Sequence, residues 1–186
     1  MIDAMSLALV VLNGTKSERN EANDALHVMD EEEFRAFYER TARPLWSYLS
    51  RITGDRQEAD DVLQEAYYRF YRAGARHENE THRRNSLFRI ATNVVRDAQR
   101  RAKHHKDVPL EEETAGTFSS PQAQVMSKTD LERAMQQLEP VQREMLWLAY
   151  AQGASHEEIS QILGLKAVSI RTTLLRARRK LAGFLR

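Results

Sequence analysis

The stretch that decides the fold runs from Ser155 to Lys180 and reads SHEEISQILGLKAVSIRTTLLRARRK. A serine followed three residues later by Glu158 forms a capping-box pattern, which predicts that a short helix begins here. Gly164 interrupts the apolar period, and a second period starts at about Val168. Two helices across a short glycine-containing turn are typical of a helix-turn-helix, whose second helix enters the major groove of DNA.

The second helix of this pair carries side chains that suit DNA. Ser169, Arg171 and Thr172 offer hydrogen-bonding groups for base edges near the start of the helix. Its later turns carry cations with no acidic residue to oppose them, which suits phosphate contacts. These cations are Arg176, Arg178, Arg179 and Lys180. A helical hairpin packed in a core, with its arginines as a solvated face, is the alternative that the spacing alone leaves open.

Composition limits the class of protein. The 186 residues can form one large or two small domains, and a formal net charge of +1 places any nucleic-acid affinity in local patches. The absence of cysteine excludes disulfides and thiolate metal sites. The longest apolar run, Leu7 to Leu12, is too short to span a bilayer, and the start lacks the pattern of a secretory signal. We therefore expect a cytoplasmic protein without membrane insertion.

Periodicity divides the chain into four parts. Residues 1–29 show no sustained period and are interpreted as a poorly ordered N-terminal extension. Residues 107–122 combine two prolines, a glycine, serines and an acidic run, which is typical of a flexible acidic linker. Many Leu, Ala, Arg, Glu and Gln residues, with little β-branched alternation, favour helices elsewhere. The sequence thus predicts an all-α fold of two small helical domains, 30–106 and 123–186.

Three helices are expected in the first domain. Asp30 is placed to cap the first of them, Pro44 should kink or split it, and Gly54 should end it. The second is predicted from about Gln57 to Ala73 with Gly74 as its C-cap, and the third from roughly Ser86 to Lys106. The polar segment 75–85 between them is a candidate functional loop.

The second predicted helix has an acidic side, where Asp61 and Glu65 lie four residues apart and share one face. A solvated face is the plain interpretation, and a docking surface for a basic partner is the functional one. An enzyme acting on nucleic acid through a metal at Asp60, Asp61 and Glu65 is a third hypothesis. No histidine ligand, nucleophile or glycine-rich phosphate loop accompanies these carboxylates, so we expect no catalytic residue, metal, cofactor or small-molecule substrate.

The third predicted helix carries a basic stripe on its outer side and end. It comprises Arg89, Arg96, Arg100, Arg101, Lys103 and Lys106, with only Asp97 opposing them. A nucleic-acid backbone is the partner that this charge pattern favours.

Three motifs in register resemble the extracytoplasmic-function (ECF) sigma factors of bacterial RNA polymerase. Glu58–Arg72, EADDVLQEAYYRFYR, is similar to the family's acidic helix with its Asp-x-x-Gln-Glu core. Leu87–Asn93, LFRIATN, is similar to the helix that opens the −10 promoter element. Leu138–Leu185 resembles the domain that reads the −35 element.

The resemblance implies three functional surfaces and two further partners. Asp61, Gln64 and Glu65 would grip the clamp helices of the β′ subunit of core RNA polymerase. The loop 75–85 and Asn93 would form a pocket for a base flipped from the −10 strand of promoter DNA. The implied −10 residues are Arg83, Arg84, Asn93, Arg96, Arg100 and Arg101. The implied −35 residues are Ser169, Arg171, Thr172, Arg176, Arg178 and Arg179. An anti-sigma factor is the other partner implied by the family.

Three positions depart from the family pattern. Ser86 stands where a tryptophan is usual, and Thr173 stands where an arginine is common. Lys166 replaces a small hydroxyl residue that caps the recognition helix, so either that helix is frayed at its start or Ser169 caps it later. A free-standing helix-turn-helix regulator remains the alternative function, although it would leave the acidic helix and the −10-like helix unexplained.

Overall fold

The computed structural model describes residues 29–74, 77, 79–106 and 130–185. Within these residues it contains seven α-helices and no strand, which confirms the all-α prediction. Most of the predicted N-terminal extension and all of the predicted linker lie outside the described residues. The helices are α1 Glu31–Thr53, α2 Arg56–Ala73, α3 Glu80–Lys106, α4 Asp130–Gln136, α5 Pro140–Tyr150, α6 His156–Leu163 and α7 Ala167–Phe184.

Helix α1 begins and ends where the sequence predicts. The Asp30 side chain accepts from the Glu33 amide at 2.8 Å, and the Glu33 carboxylate accepts from the Asp30 amide in return. Gly54 ends the helix in the left-handed conformation with φ of 77°. The helix is continuous through Pro44, so the prediction of a split there is wrong.

Helix α3 starts earlier than predicted. It begins at Glu80 rather than near Ser86, because the Asn79 side chain accepts from the His82 amide at 2.8 Å and opens a helical turn there. Part of the predicted loop 75–85 is therefore helical, and Arg83 and Arg84 lie on α3. The sequence placed the start of this helix late because its repeat of apolar residues begins only at Leu87, the first apolar residue that the helix buries.

The helix-turn-helix forms at α6 and α7. Ser155 and Glu158 make the predicted capping box at the start of α6, and Gly164 ends that helix with φ of 67°. Helix α7 begins at Ala167 after Lys166, whose side chain makes no capping hydrogen bond. The Ser169 hydroxyl donates to the Lys166 carbonyl at 2.7 Å. Of the two alternatives predicted for this start, a later cap at Ser169 is wrong, because α7 already begins at Ala167, with Lys166 as its N-cap.

Two helical groups are packed against each other. In the N-terminal group, α1, α2 and α3 enclose an aromatic core that includes Phe37, Tyr48, Tyr67 and Phe88. In the C-terminal group, α5, α6 and α7 pack together, and α4 lies against α7. Helix α3 also packs along α6, and α1 contacts α5. The buried side chains of both groups consequently form one continuous apolar cluster.

Candidate nucleic-acid and protein interfaces

The acidic face of α2 consists of Asp61, Gln64 and Glu65. Their spacing places them on one side of the helix, where Asp61 is exposed and the other two are half-buried. Glu65 pairs with Arg69 at 2.6 Å across the surface, with both side chains more than two-fifths exposed. The pKa of the neighbouring Glu58 is raised by burial first, and then by the charges of Asp55 and Asp61. Negative charge is thus concentrated on this side of α2.

Asp60 does not join that face. The Trp46 indole donates to its carboxylate at 2.7 Å, which ties Asp60 to α1. Asp60, Asp61 and Glu65 therefore do not converge on a shared ligand. Throughout the described ranges, no group of three or more His, Asp or Glu side chains is arranged to hold a metal ion.

The outward face of α3 carries Arg89, Asn93 and Arg100, which follow each other at helical spacing and are all exposed. Asp97 pairs with Arg100 at 3.2 Å, and the Arg101 guanidinium donates to the Asp97 carbonyl at 3.3 Å. Arg89 belongs to the predicted basic stripe but not to the predicted −10 residues. Its position one turn from Asn93 makes it an additional candidate for a phosphate contact.

The first turn of α3 lies against an aromatic platform. His77 stacks on Phe70 at 5.3 Å between ring centroids, and His82 meets His77 edge-on at 5.6 Å. The Arg83 guanidinium lies 6.0 Å from the ring of Phe37. The pKa of His77 is lowered by burial first and then by His82 and Arg83, which favours the neutral imidazole. Phe37 and Phe70 are buried, so only the half-buried ring of His77 and the exposed ring of His82 present flat faces on which an unpaired base could stack.

Arg84 and Arg96 contact the C-terminal group instead of facing outward. Arg84 donates to the Gln152 amide oxygen at 3.3 Å, and Arg96 donates to the Glu144 carboxylate at 2.6 Å. Between them lies Asn85, which is 2% exposed and donates to Gln161 at 2.9 Å. A buried Asn85 was missed at the sequence level, because a polar residue before the first apolar position gives no signal of burial.

Helix α7 presents its predicted −35 residues to solvent, since all six are exposed while Ile170, Leu174 and Ala177 form its buried face. The set divides in two by helical position. Opposite the buried face lie Ser169, Thr172, Arg176 and Arg179. Arg171 and Arg178 flank that row, and the Arg178 guanidinium lies 5.8 Å from the ring of Tyr150. The row of four is therefore the surface that a DNA groove would meet first.

An apolar groove of about 810 Å³ lies between the end of α1 and the helices α4, α5 and α7. Its lining includes Leu131, Met135, Trp147, Leu181 and Leu185. The Arg51 guanidinium stacks 5.4 Å from the Trp147 ring. No sequence pattern predicted this groove, because residues from distant parts of the chain form it.

None of the helices in the described part of the chain is long and apolar enough to cross a membrane.

Two family models match the chain. Residues 37–105 match the model of Sigma-70 region 2, and residues 128–181 match the model of Sigma-70, region 4. The first match spans α1 to α3, and the second spans the helix-turn-helix.

Curated relatives match over most of their length. The chain is 31% identical over 175 residues to the ECF RNA polymerase sigma factor SigM of Mycobacterium tuberculosis, covering 92% of this chain and 88% of the relative. It is 32% identical over 152 residues to the RNA polymerase sigma factor CarQ of Myxococcus xanthus, covering 80% and 86%.

Solved structures share the fold. The sigma factor RpoE of Bartonella quintana, in complex with the anti-sigma factor NepR, has a TM-score of 0.60 at 19% identity and covers 83% of this chain and 97% of that one. CnrH in complex with the cytosolic domain of CnrY has a TM-score of 0.59 at 21% identity, with coverage of 84% and 89%.

Proposed function

Because the chain belongs to the ECF family of RNA polymerase sigma factors, we propose that it binds core polymerase through α2 and promoter DNA through α3 and α7. It is an alternative sigma factor that directs promoter recognition at transcription initiation. Sigma factors are regulatory initiation factors, so we propose that this chain is not an enzyme.

The observation that carries the proposal is the segregation of charge among three helices. The acidic face lies on α2, whereas the exposed cations lie on α3 and α7, although the formal net charge of the chain is only +1. One surface therefore suits a basic protein and two suit nucleic acid. A protein that binds only DNA would not need the acidic face of α2.

Asp61, Gln64 and Glu65 are proposed to dock on the clamp helices of the β′ subunit. Asp61 is exposed. Glu65 pairs with Arg69 on the surface, and because such a pair contributes little free energy, Glu65 can exchange Arg69 for a cation of a partner. Carboxylate and amide oxygens one turn apart can accept from arginines or lysines of a facing helix. This is the geometry that helix-to-helix docking requires.

The −10 element is proposed to meet α3. Asn93 and Arg100 lie on its exposed face, and Arg83 lies over the aromatic platform at its start. A base flipped from the strand would be hydrogen-bonded at its edge by Asn93, which offsets part of an unstacking cost of a few kcal/mol. The first turn of α3 lies ten residues, about 15 Å, before Asn93 and would meet a neighbouring nucleotide.

Of the remaining −10 residues, Arg101 is exposed and would pair with an adjacent phosphate. Arg84 and Arg96 donate to Gln152 and Glu144, so they would reach a phosphate only by giving up those bonds.

The −35 duplex is proposed to meet α7, with Ser169, Thr172 and Arg176 toward base edges and Arg179 toward phosphates. Arg171 and Arg178 flank this row and extend the basic surface. Two weak DNA contacts that are joined through polymerase gain from effective concentration, so neither needs to bind tightly alone.

A protein inhibitor is also proposed. The sigma factor RpoE of Bartonella quintana is bound to the anti-sigma factor NepR in its solved structure, and the apolar groove beside Trp147 offers this chain a surface for a protein partner. We further propose that the chain acts in the cytoplasm, where polymerase and promoter DNA meet. Purification from the native cell under non-inducing conditions should recover a stoichiometric inhibitor, and its absence there would count against this partner.

The function is tested by transcription from fragmented genomic DNA of the source organism. Core polymerase with this chain should start at discrete sites that share two upstream elements, and core polymerase alone should not. The free-standing regulator, for which the exposed α7 would also serve, predicts tight duplex binding without polymerase and no new start sites. Those two results together would reject the sigma role.

A further inference from the structure

Two apolar side chains lie on the outward face of α7, among the residues proposed for the −35 duplex. Val168 is 84% exposed and Leu175 is 46% exposed. They recur with Thr172 at steps of four and three residues, which places all three on one side of the helix. This side is opposite the buried face of α7, so the surface offered to a partner is an apolar stripe as well as a set of polar groups.

The fold does not account for Val168. It is the most exposed of the large apolar side chains in the described ranges, so burial contributes little to holding it in place. Valine is also a weaker helix former than alanine, because its branched side chain loses rotamer freedom against the preceding turn. Two such residues in register on one face, unlike a single scattered one, indicate a partner that covers them.

The charge around the stripe indicates what that partner is. Helix α7 contains no Asp or Glu, and the guanidinium groups of Arg171, Arg176 and Arg179 are exposed around Val168 and Leu175. A partner that fits must therefore carry anions and present apolar groups between them. Duplex DNA does both, since its major groove lies between two phosphate backbones and exposes the C5-methyl group of thymine.

Position along the helix separates the two apolar residues. Helix α7 begins at Ala167, so Val168 is its second residue. The N-terminal residues of a recognition helix contact base edges in the major groove. Leu175 lies about 10 Å further along the axis. Val168 is therefore the apolar side chain that is placed for a base.

We propose that Val168 is a specificity-determining residue, which recognises thymine in the −35 element through its C5-methyl group. This inference rests on the proposed function, because it requires α7 to lie in the major groove. The −35 elements that this chain uses should share an A·T base pair where the first turn of α7 meets the duplex.

The contact discriminates between bases in two ways. A thymine methyl group and the isopropyl group of Val168 shield each other from water, which is favourable. At the same place, the amine of cytosine or the O6 of guanine would lose its water without gaining a hydrogen-bond partner, which is costly. Val168 thus selects for thymine and against the bases of a G·C pair.

Deoxyuridine tests the contact, because it pairs with adenine as thymidine does and lacks only the methyl group. A promoter found by transcription of genomic fragments is rebuilt with deoxyuridine in place of each thymidine of its −35 element, one position at a time on either strand. Initiation by core polymerase with the full chain is measured at limiting protein concentration. At one position, deoxyuridine should lower initiation by the wild type about fourfold, the factor that follows from losing one buried methyl group.

Val168→Ala completes the comparison. Alanine favours the helix and removes the isopropyl group, so this variant should initiate about fourfold less on the thymidine template and should not respond to deoxyuridine at the same position. Arg179→Ala is the control, because it removes a proposed phosphate contact. It should lower initiation on both templates and leave the ratio between them as in the wild type.

Equal initiation by the wild type on the thymidine and deoxyuridine templates would overturn the methyl contact and leave the sigma role intact. The same conclusion would follow from a Val168→Ala chain that keeps the wild-type response to deoxyuridine, or from −35 elements that share no A·T pair. Absence of discrete initiation on either template would instead contradict the proposed function, and this inference with it.

Discussion

The guanidinium of Arg96 lies 2.6 Å from the carboxylate of Glu144 and joins two residues that are 48 positions apart in the chain. The contact links the helix proposed for the −10 element to the group that contains the helix-turn-helix. The Glu144 side chain is buried and that of Arg96 is half-buried, so their contact affects both the stability of the chain and the response of that stability to pH.

The pKa of Glu144 is raised above its usual 4.5 by burial, and the charges of Arg96 and Arg143 only partly offset that rise. The folded chain therefore keeps the Glu144 proton to higher pH than the unfolded chain. The stability from this group is fully present below pH 4.5 and is lost as pH rises through the raised value. In urea unfolding, the wild type should therefore lose free energy of unfolding relative to Glu144→Gln as the pH rises from below 4.5 through the raised pKa of Glu144. Gln161→Ala, which changes no titratable group, serves as the control, and a difference for Glu144→Gln that stays constant with pH would contradict the expectation.

Gly164 and Gly183 should respond oppositely to substitution by alanine. Gly164 ends α6 at φ of +67°, where an added Cβ meets no atom within 4 Å but the backbone itself disfavours an L residue. Gly164→Ala should lower the free energy of unfolding by about 1 kcal/mol.

Gly183 lies within α7, where an added Cβ also meets no atom within 4 Å. Gly183→Ala should raise stability by about 0.5 kcal/mol, because alanine loses less backbone entropy in a helix. Urea titration of both variants measures their free energies of unfolding. A Gly164→Ala variant that is as stable as the wild type, or more stable, would show that the positive φ of Gly164 does not disfavour alanine there.

The exposed row on α7 should control promoter choice without affecting polymerase binding. Thr172→Ala/Arg176→Ala removes one hydroxyl and one guanidinium from that row, so start-site-specific transcription should fall by about tenfold or more. Arg35→Ala is the matched loss of an exposed arginine that pairs with Glu31 along α1, and it should leave transcription unchanged. A double variant that transcribes like the wild type would remove α7 from the −35 contact.

Local signals in the sequence predicted helix boundaries well. The N-cap at Asp30, the capping box at Ser155 and the glycines at Gly54, Gly74 and Gly164 all act within a few residues, so these signals suffice to place a helix end. Two predictions failed where a side chain had another local option. Asn79 opened α3 early, and the Ser169 hydroxyl bonded to the Lys166 carbonyl instead of capping α7.

Long-range packing was beyond the sequence. Helical period identified the buried faces of α1 to α3, but nothing in it brings Arg96 to Glu144 or buries Asn85 against Gln161. The same holds for the groove at Trp147, whose lining comes from the end of α1 and from three helices of the C-terminal group. Charge and spacing thus named candidate binding residues, and only packing determines which of these candidates are exposed.

The central claim is that α2 docks this chain on RNA polymerase, and co-elution with purified core polymerase tests it most directly. Asp61→Ala/Gln64→Ala/Glu65→Ala removes the proposed face, and Glu31→Ala/Glu32→Ala removes two exposed negative charges from the first turn of α1 as the control. Wild type and control should co-elute with the polymerase, and the triple variant should not. Co-elution of a folded triple variant at wild-type level would contradict the docking face, and failure of the wild type to bind would contradict the claim itself.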